Sequence, residues 1–380
     1  MRITDVETIA FQTTTRIQRT RFGGILFGDE QETVQTLTRI RTDEGPEGCM
    51  LGGDRAVNEG VLKPLLVGQD PLAREKLWLW MDQLCTTRHA MSEGQAGVID
   101  CALWDLYGQM VGLPVHKLLG GCRDRVKAYA SSFDHLGSPD MYARQALECR
   151  RLGYQAYKIH PNVFWNPHTQ QTGPMTPGFP REDVEICRAV RAAVGDDMIL
   201  LLDPFGSYTL EEALWVGREL EKLGFYWLEH PMMETRVEAY RRLTRELSIN
   251  ILAPEHIPGG IFARAEWLLQ GASDMMRIDI NYGGITGCYK LAIICQAYGL
   301  KCEMHGAGWA HVHLVGALPE STCEYYERGL LHPDEEYESR YPYLRNTCDP
   351  LDGDGNVIVP QRPGLGFDFD WDYINAHRVE

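Results

Sequence analysis

Three carboxylates stand at equal intervals in the middle of the chain, each at the end of an apolar run. Asp203 closes ILLLD, Glu229 closes FYWLE and Glu255 closes INILAPE, and both intervals are 26 residues. Converging carboxylates repel one another unless a cation lies between them, and a ligand set made only of oxygen suits a hard ion such as Mg²⁺. Each residue taken alone could instead be the N-cap of the next helix. The repetition favours a metal site, and we expect Mg²⁺ as the cofactor.

The segments between these carboxylates predict the elements that position them. LEEALWVGRELEKLG and VEAYRRLTRELS both carry apolar residues at helical spacing. Short apolar strands that alternate with helices of this length indicate parallel βα units. If the sheet closes into a barrel, the carboxyl ends of its strands face one mouth, where barrel enzymes carry their catalytic residues. We therefore predict an α/β barrel whose mouth gathers the three carboxylates.

The alternation of strands and helices covers only part of the chain. It begins at Val126, and later strands are predicted to end near Asp279, His305 and Glu324. The preceding region reads as a separate α+β unit, with two alternating strands and three helical patterns. The final fifty residues carry no further βα unit. The predicted domains are therefore residues 1–125, 126–330 and 331–380.

A polar segment of the N-terminal unit is a candidate for substrate contact. Thr13–Glu30 separates the two predicted strands and reads as a loop, and loops of this size are often functional. It contains three arginines that can bind an anionic or polyhydroxylated ligand, namely Arg16, Arg19 and Arg21. We predict that these side chains take part in substrate binding.

A second long segment, Pro161–Pro180, follows the second barrel strand and is rich in proline, glycine, histidine and aromatic residues. In a barrel, a loop at this position overhangs the mouth and can act as a lid or specificity loop. Trp165 and His168 are its candidate substrate-binding residues. An ordered excursion without a role in binding is the alternative.

Composition restricts the class of partner. With 37 basic and 53 acidic residues the net charge is −16, which argues against nucleic acid or an anionic membrane surface. No apolar run approaches the roughly 18 residues of a membrane span. The eleven cysteines show no zinc-ligand spacing and are typical of buried thiols in a reduced compartment. We expect a cytoplasmic protein that acts on a small molecule.

Together these residues resemble the enolase superfamily, mandelate racemase-like subgroup. The stretch GVIDCALWDLYGQMVGLPVHKLLGG resembles the signature helix that ends the capping domain of that subgroup, and PGLGFDFDWDYI resembles its C-terminal return. The resemblance implies a modified TIM barrel, (β/α)7β, under an N-terminal α+β capping domain that the C-terminal segment completes. It also implies Mg²⁺-dependent abstraction of the proton alpha to a carboxylate, through an enediolate. The aspartate and two glutamates described above match the metal ligands.

The same resemblance assigns a general base. Lys158 and His160 lie two residues apart on a strand, so both side chains face the same way. The subgroup usually has KxK here, with the second lysine as base, whereas this chain has KxH. His160 therefore occupies the position of the base, and Lys158 would hold the substrate carboxylate or tune His160 electrostatically. Lys158 as the base is the alternative.

Further catalytic roles follow from the resemblance. Asp279 and His305 match the Asp–His dyad, in which the carboxylate orients the imidazole and keeps it basic. Glu324 matches the residue that hydrogen-bonds the second oxygen of the substrate carboxylate, with Glu327 nearby in sequence. His256 directly follows the third metal ligand and is predicted to contact the substrate.

We predict a dehydratase that converts a sugar acid to a 2-keto-3-deoxy acid. His160 or Lys158 would remove the alpha proton, and His305 would protonate the departing beta-hydroxyl group. The polar, arginine-bearing segment suits a polyhydroxylated acid. A racemase, epimerase or cycloisomerase is the alternative, and a non-catalytic binding protein on this fold is a remote one, since no ligand or dyad member is missing. We also expect a homo-oligomer.

Overall fold

A computed structural model describes residues 1–20, 24–173 and 178–379 of the chain. The N-terminal unit is an antiparallel sheet covered by helices. Its elements, in chain order, are strands β1 (Ile3–Arg19), β2 (Ile25–Thr42) and β3 (Glu47–Leu51), then helices α1 (Arg55–Val57), α2 (Lys63–Leu66), α3 (Arg74–Thr86), α4 (Glu93–Val111) and α5 (Val115–Leu118), with a π-helical turn at Asn58–Leu62. Helix α4 packs so closely on β3 that a Cβ atom at Gly48 would lie 2.2 Å from the carbonyl oxygen of Ala102.

The predicted loop at Thr13–Glu30 is largely wrong, because β1 and β2 form one long hairpin. Their pairing continues from Thr13 opposite Thr33 to Arg19 opposite Ile25. Polar residues do not prevent strand formation when they are β-branched and the backbone finds a partner. The hairpin therefore extends away from the N-terminal core, and Ile25 and Phe27 near its far end contact the barrel residues Asp134 and Phe133.

The second unit is a parallel barrel, as predicted. Strands β4 (Arg125–Ser132) and β5 (Ala156–Ile159) come first, then the short loop strands β6 (Trp165–Asn166) and β7 (Gln171–Thr172), then β8 (Ile199–Leu202), β9 (Trp227–Glu229), β10 (Asn250–Leu252), β11 (Met275–Ile278), β12 (Lys301–Met304) and β13 (Tyr325–Leu331). The intervening helices are α6 (Pro139–Arg151), α7 (Pro180–Val194), α8 (Leu210–Lys222), α9 (Val237–Glu246), α10 (Gly260–Leu269), α11 (Gly284–Tyr298) and α12 (Trp309–Ala317).

The strands pair in parallel in the order β4, β5, β8, β9, β10, β11, β12, and β13 pairs back onto β4. The ring is completed beside β12, where the backbone N–H of Cys302 donates to the carbonyl oxygen of Thr322 at 2.7 Å. Seven βα units and a final strand give the (β/α)7β topology. All of these strand carboxyl ends consequently open on one face.

The C-terminal segment touches both units. Strand β14 (Asn356–Ile358) pairs antiparallel with β4, helix α13 (Trp371–Ala376) follows, and β15 (Arg378–Val379) pairs with β1. The cap and its C-terminal completion agree with the predicted fold, while the boundaries at residues 125 and 330 stay a prediction. Among the described residues, no helix combines the length and apolar character needed to cross a membrane.

Two buried aspartates of helix α4 hold the cap in place, one against the barrel and the other against the C-terminal segment. Asp100 accepts hydrogen bonds from the backbone N–H and the hydroxyl group of Thr286, at 2.8 and 2.6 Å. Asp105 accepts from the backbone N–H groups of Cys49 and Leu365, at 2.8 and 2.7 Å. Burial raises the pKa of each carboxyl to about 6. These contacts hold the cap at a set position over the mouth.

Candidate active site

The three equally spaced carboxylates converge at the carboxyl ends of β8, β9 and β10. One oxygen from each of Asp203, Glu229 and Glu255 lies within 4.8 Å of the other two, and all three residues are buried. The strands are neighbours in the barrel, which is why residues 26 apart in sequence meet in space. The geometry is suited to one small cation held by oxygen ligands.

Glu229 is held by two cations that are themselves fully buried. Lys158 Nζ lies 3.1 and 3.2 Å from its two oxygens, and Arg277 Nε lies 2.8 Å from Oε1. Glu327 continues this network, 2.8 Å from Lys158 Nζ and 2.5 Å from Arg277. Burial would lower the pKa of both cations, but the surrounding carboxylates outweigh it and raise their pKa. Lys158 is therefore a charged member of an ion cluster in the barrel core.

Among the three converging carboxylates, Glu255 has unused acceptor capacity. Both of its oxygens are buried and neither has a hydrogen bond of good geometry, although His256 Nε2 and His305 Nε2 lie 2.6 and 3.1 Å from Oε1. Burial raises its pKa, but His305, His256 and His230 lower it further, so the pKa stays well below the ordinary value. A buried ionised carboxylate without a donor is the expected partner of a metal ion. These residues fit Mg²⁺.

His160 lies on one side of the carboxylates and faces the cavity described below. Its Nδ1 atom is 2.8 Å from the carbonyl oxygen of Ser132, which can only accept, so Nδ1 carries a hydrogen. Nε2 then points towards Asp203, 3.2 Å from Oδ2. Burial lowers the pKa of His160, but the contact with Asp203 raises it above the ordinary value. In the neutral form of the ring the lone pair is on Nε2, and that atom is able to accept a proton.

The predicted dyad is assembled on the other side of the carboxylates. His305 Nδ1 donates to Asp279 Oδ2 at 2.7 Å, and the second oxygen of Asp279 accepts from the backbone N–H of Asn281. Burial lowers the pKa of His305, but Glu255 and Asp279 raise it to about 10. His305 is thus held in its protonated form beside Glu255, with Nε2 towards the carboxylates.

The position predicted for Glu324 is wrong, and Glu327 lies in the site instead. Strand β13 begins only at Tyr325, so Glu324 precedes it at the amino-terminal end of the barrel, where it bonds Lys301 and Tyr226 at 2.5 and 3.1 Å. Glu327 is three residues further along and reaches the backbone N–H of Gly306 at 2.7 Å. Catalytic side chains of a barrel belong to the carboxyl ends of its strands.

A cavity of about 760 Å³ separates the cap from the barrel mouth. Both units contribute to its wall. From the barrel come His160, Asp203, Asp279, His305 and Glu327, and from the cap come Arg19, Ile25, His89, Met91 and Glu93. A ligand in this cavity would contact both histidines and the carboxylate cluster while the cap covers it.

The structure brings only some of the predicted substrate-binding residues to this cavity. Arg19 and His256 line it. Arg16 does not, because its guanidinium group bonds the carbonyl oxygens of Gly28 and Asp334 at 3.0 and 3.1 Å on the outside of the hairpin. Arg21 lies outside the described residues.

The 161–180 segment contributes different residues from those predicted. Trp165 stacks on His135 with ring centroids 4.5 Å apart, and the exposed His168 pairs with Glu182 at 3.0 Å. Neither side chain lines the cavity, whereas Val163 and Phe164 do. Phe164 has a φ of 50° and precedes the small β6–β7 hairpin, which turns the following residues outwards. The amino-acid composition of the segment does not predict such a local change in chain direction.

Sequence reasoning missed Arg277, although a signal for it exists. It is the one charged side chain within the apolar strand MMRI, and a charge at such a position needs a buried counter-ion. His230, which directly follows Glu229, has a φ of 38° in place of the extended conformation, and its ring lies 5.2 Å from that of His256.

Two family models match the chain. Residues 141–373 match a model described as Enolase C-terminal domain-like. Residues 24–120 match a model described as Mandelate racemase / muconate lactonizing enzyme, N-terminal domain. The first match spans most of the barrel and most of the C-terminal segment, and the second spans most of the cap.

The chain is also similar to individual proteins of defined activity. A solved structure, D-glucarate dehydratase from Agrobacterium tumefaciens complexed with magnesium, is 39% identical, covers 100% of both chains and has a TM-score of 0.94. Arabinonate dehydratase of Saccharolobus solfataricus is 28% identical over 348 residues, 87% of each chain. D-Galactarolactone cycloisomerase of Agrobacterium fabrum is 28% identical over 370 residues, 91% of this chain and 92% of that one.

Proposed function

The chain belongs to the mandelate racemase/muconate lactonizing enzyme family of the enolase superfamily, and on that premise we propose that it is a Mg²⁺-dependent dehydratase of a sugar acid. The observation that carries the proposal is the placement of two histidines on either side of one carboxylate cluster. His160 contacts Asp203, and His305 contacts Glu255. Dehydration needs two such groups, because one takes a proton and the other gives one.

Asp203, Glu229 and Glu255 would hold the Mg²⁺. When bound, the ion supplies Lewis-acid stabilisation for the charge that develops on the substrate carboxylate as the alpha proton leaves. The ion pairs of Lys158 and Arg277 with Glu229 keep that ligand in place and compensate its charge. Support of this kind preorganises the site before substrate arrives.

The proton transfers fall to His160 and His305. His160 Nε2 takes the alpha proton, since Nδ1 is engaged by the carbonyl oxygen of Ser132 and sets the tautomer. Lys158 is the weaker candidate, because it is fully buried among carboxylates and does not line the cavity. His305, protonated and oriented by Asp279, donates a proton from Nε2 to the beta-hydroxyl group as the carbon–oxygen bond breaks. Water and an enol result, and the enol then tautomerises to the 2-keto-3-deoxy acid as its hydroxyl group loses a proton and the beta carbon gains one.

The experiment that tests this function is a screen of sugar acids with Mg²⁺, followed by mass detection of a product lighter by one water. D-Glucarate is the first acid to try, because the A. tumefaciens relative is named for it. A 2-keto product with at least one acid supports the proposal. Interconversion of two epimers, or lactone opening without loss of water, would replace it with an isomerase, the activity for which the A. fabrum relative is named. Cytoplasmic location and a homo-oligomeric state stay predictions.

Substitution of Glu327, with Glu324 as the control, tests whether the buried ion cluster supports the predicted metal ligand Glu229. We expect Glu327→Gln to lower kcat about 10- to 100-fold, the range for residues that orient metal ligands, because Lys158 and Arg277 lose a shared counter-ion. Glu324→Gln is the control and should leave kcat within about twofold, since its ion pair with Lys301 lies at the other end of the barrel. Both rates are measured with the acid found in the screen. Equal losses in the two variants would contradict the placement of Glu327.

A further inference from the structure

A carboxylate with no role in the mechanism above, Asp134, lies in the wall of the active-site cavity. It follows β4 by two residues, at the carboxyl end of the first barrel strand, and only 9% of it is exposed. His160, Val163 and Phe164 line the same cavity. Asp134 is therefore enclosed and still open to whatever occupies the cavity.

Asp134 has fewer hydrogen bonds than the other buried aspartates of the described chain. It accepts one, from the backbone N–H of Ile25, at the long distance of 3.4 Å. By contrast, Asp183 accepts from Asn162 and Tyr208 at 3.0 and 2.7 Å, and Asp349 accepts from two tyrosines and a threonine. A carboxyl group can accept about four hydrogen bonds. Asp134 thus keeps acceptor capacity that protein donors leave unused.

Because Asp134 has free acceptor positions, we expect a ligand in the cavity to donate hydrogen bonds to it. Burial raises the pKa of Asp134 to about 6, and His160, Asp203 and Lys158 act on it electrostatically. A second carboxylate on the substrate would be repelled here and would offer no hydrogen to donate. A hydroxyl group donates one hydrogen bond and carries no charge, whichever protonation state Asp134 adopts.

We propose that Asp134 is a specificity-determining residue that accepts a hydrogen bond from one particular hydroxyl group of the sugar acid. The inference rests on the proposed function, because it assumes a polyhydroxylated acid in the cavity. Since Asp134 lines the same cavity as His160, it selects the configuration of the carbon whose hydroxyl group reaches it. An epimer at that carbon directs its hydroxyl group elsewhere and leaves Asp134 without a donor.

The competing explanation is that Asp134 only holds the tip of the cap hairpin through Ile25. Asp134→Asn separates the two roles, because the amide oxygen still accepts from the Ile25 N–H while the negative charge is removed. Asp134→Ala removes both acceptors. Asp274→Asn is the matched control, because Asp274 is partly buried at the opposite end of the barrel, where it accepts from the backbone N–H of Ile251 at 2.9 Å.

The test uses the best acid from the screen and its analogues that each lack one hydroxyl group. We expect Asp134→Ala to lower kcat/KM and binding affinity for the parent acid about 10- to 100-fold, the range for a hydrogen bond to a charged group. For one deoxy analogue the same substitution should cost less than about threefold, because the partner hydroxyl group is already missing. Asp134→Asn should show the same coupling with a smaller loss, and Asp274→Asn none.

An equal loss for the parent acid and for every deoxy analogue would overturn the proposal and leave Asp134 a structural residue. No loss at all would overturn it as well. Affinities are measured by calorimetry in the presence of Mg²⁺, and turnover is measured in parallel. The two measurements distinguish failure of the Asp134 proposal from failure of the proposed function. If the wild type binds sugar acids without forming a 2-keto product, the dehydratase is wrong, and the coupling in affinity still decides Asp134. If no sugar acid binds, both proposals fall.

Discussion

Glu255→Gln is expected to abolish turnover and Mg²⁺ binding while the free energy of unfolding stays close to that of the wild type. The uncharged amide gives up the ion pairs with His256 and His305, but His305 keeps Asp279 as its counter-ion. It also ends the repulsion among three buried carboxylates. Loss of the ion removes several kcal/mol of transition-state stabilisation, which corresponds to at least about 10³-fold in rate.

Glu229→Gln is the informative comparison for the same site. It should abolish turnover equally, but it should also destabilise the fold by about 3 kcal/mol, the lower end of the range for a broken buried ion pair. Lys158 and Arg277 both lose this partner and keep Glu327. Asp203→Asn should abolish turnover too.

Calorimetry with Mg²⁺ and chemical denaturation of the metal-free variants measure both effects. Unchanged Mg²⁺ affinity in all three variants would refute the metal site. Equal stability of the Glu255 and Glu229 variants would instead contradict the ion cluster around Glu229.

The second large effect concerns the proton transfers. His160→Asn should lose exchange of the alpha hydrogen with solvent D₂O, together with product formation, by the roughly 10²- to 10⁴-fold typical of removing a general base. Asparagine can still donate to the carbonyl oxygen of Ser132, so the backbone around position 160 keeps its contact. The loss therefore reports on the imidazole nitrogen that faces the cavity.

His305→Asn should separate the two proton transfers. Product formation is lost because the acid is missing, whereas alpha exchange continues from the His160 side and retains the configuration at that carbon. A racemase with bases on opposite faces would instead invert it. The measurements are deuterium incorporation by NMR and product by mass, each with the acid from the screen.

Near-normal exchange in His160→Asn would show that Lys158 or His305 is the base. Loss of all exchange in His305→Asn would show that His305 removes the alpha proton. Mg²⁺ affinity of both variants serves as the control, because His160 and His305 each contact a predicted metal ligand.

Much of the architecture was predictable from the sequence alone, because barrel strands and helices leave a periodic pattern of apolar residues. The strands that end at Asp203, Glu229 and Glu255 form neighbours in the barrel, as their equal spacing predicted. Convergence then follows from topology, since parallel strands place their carboxyl ends on one face. The Asp279–His305 dyad was implied by the family resemblance, and the adjacent strands β11 and β12 bring the two side chains together.

The residues that line the cavity were decided by the tertiary structure. The sequence alone does not distinguish Glu324 from Glu327 as the site residue. The residue at which β13 begins decides which of the two reaches the barrel mouth. Arg16 and Arg19 lie on one hairpin strand, yet Arg16 is held on the outside and Arg19 lines the cavity. Register and strand bounds depend on pairing with distant segments, which local composition does not encode.

The charge state of the site was a tertiary property as well. By sequence alone Lys158 and His160 were both candidate bases, because alternation puts them on one face of β5. The fold surrounds Lys158 with Glu229, Glu327 and Asp203, while it leaves His160 at the cavity. The sequence determined which strands carry the ionisable groups. Burial and the distances between strands, which only the closed barrel sets, decided which of those groups is free to move a proton.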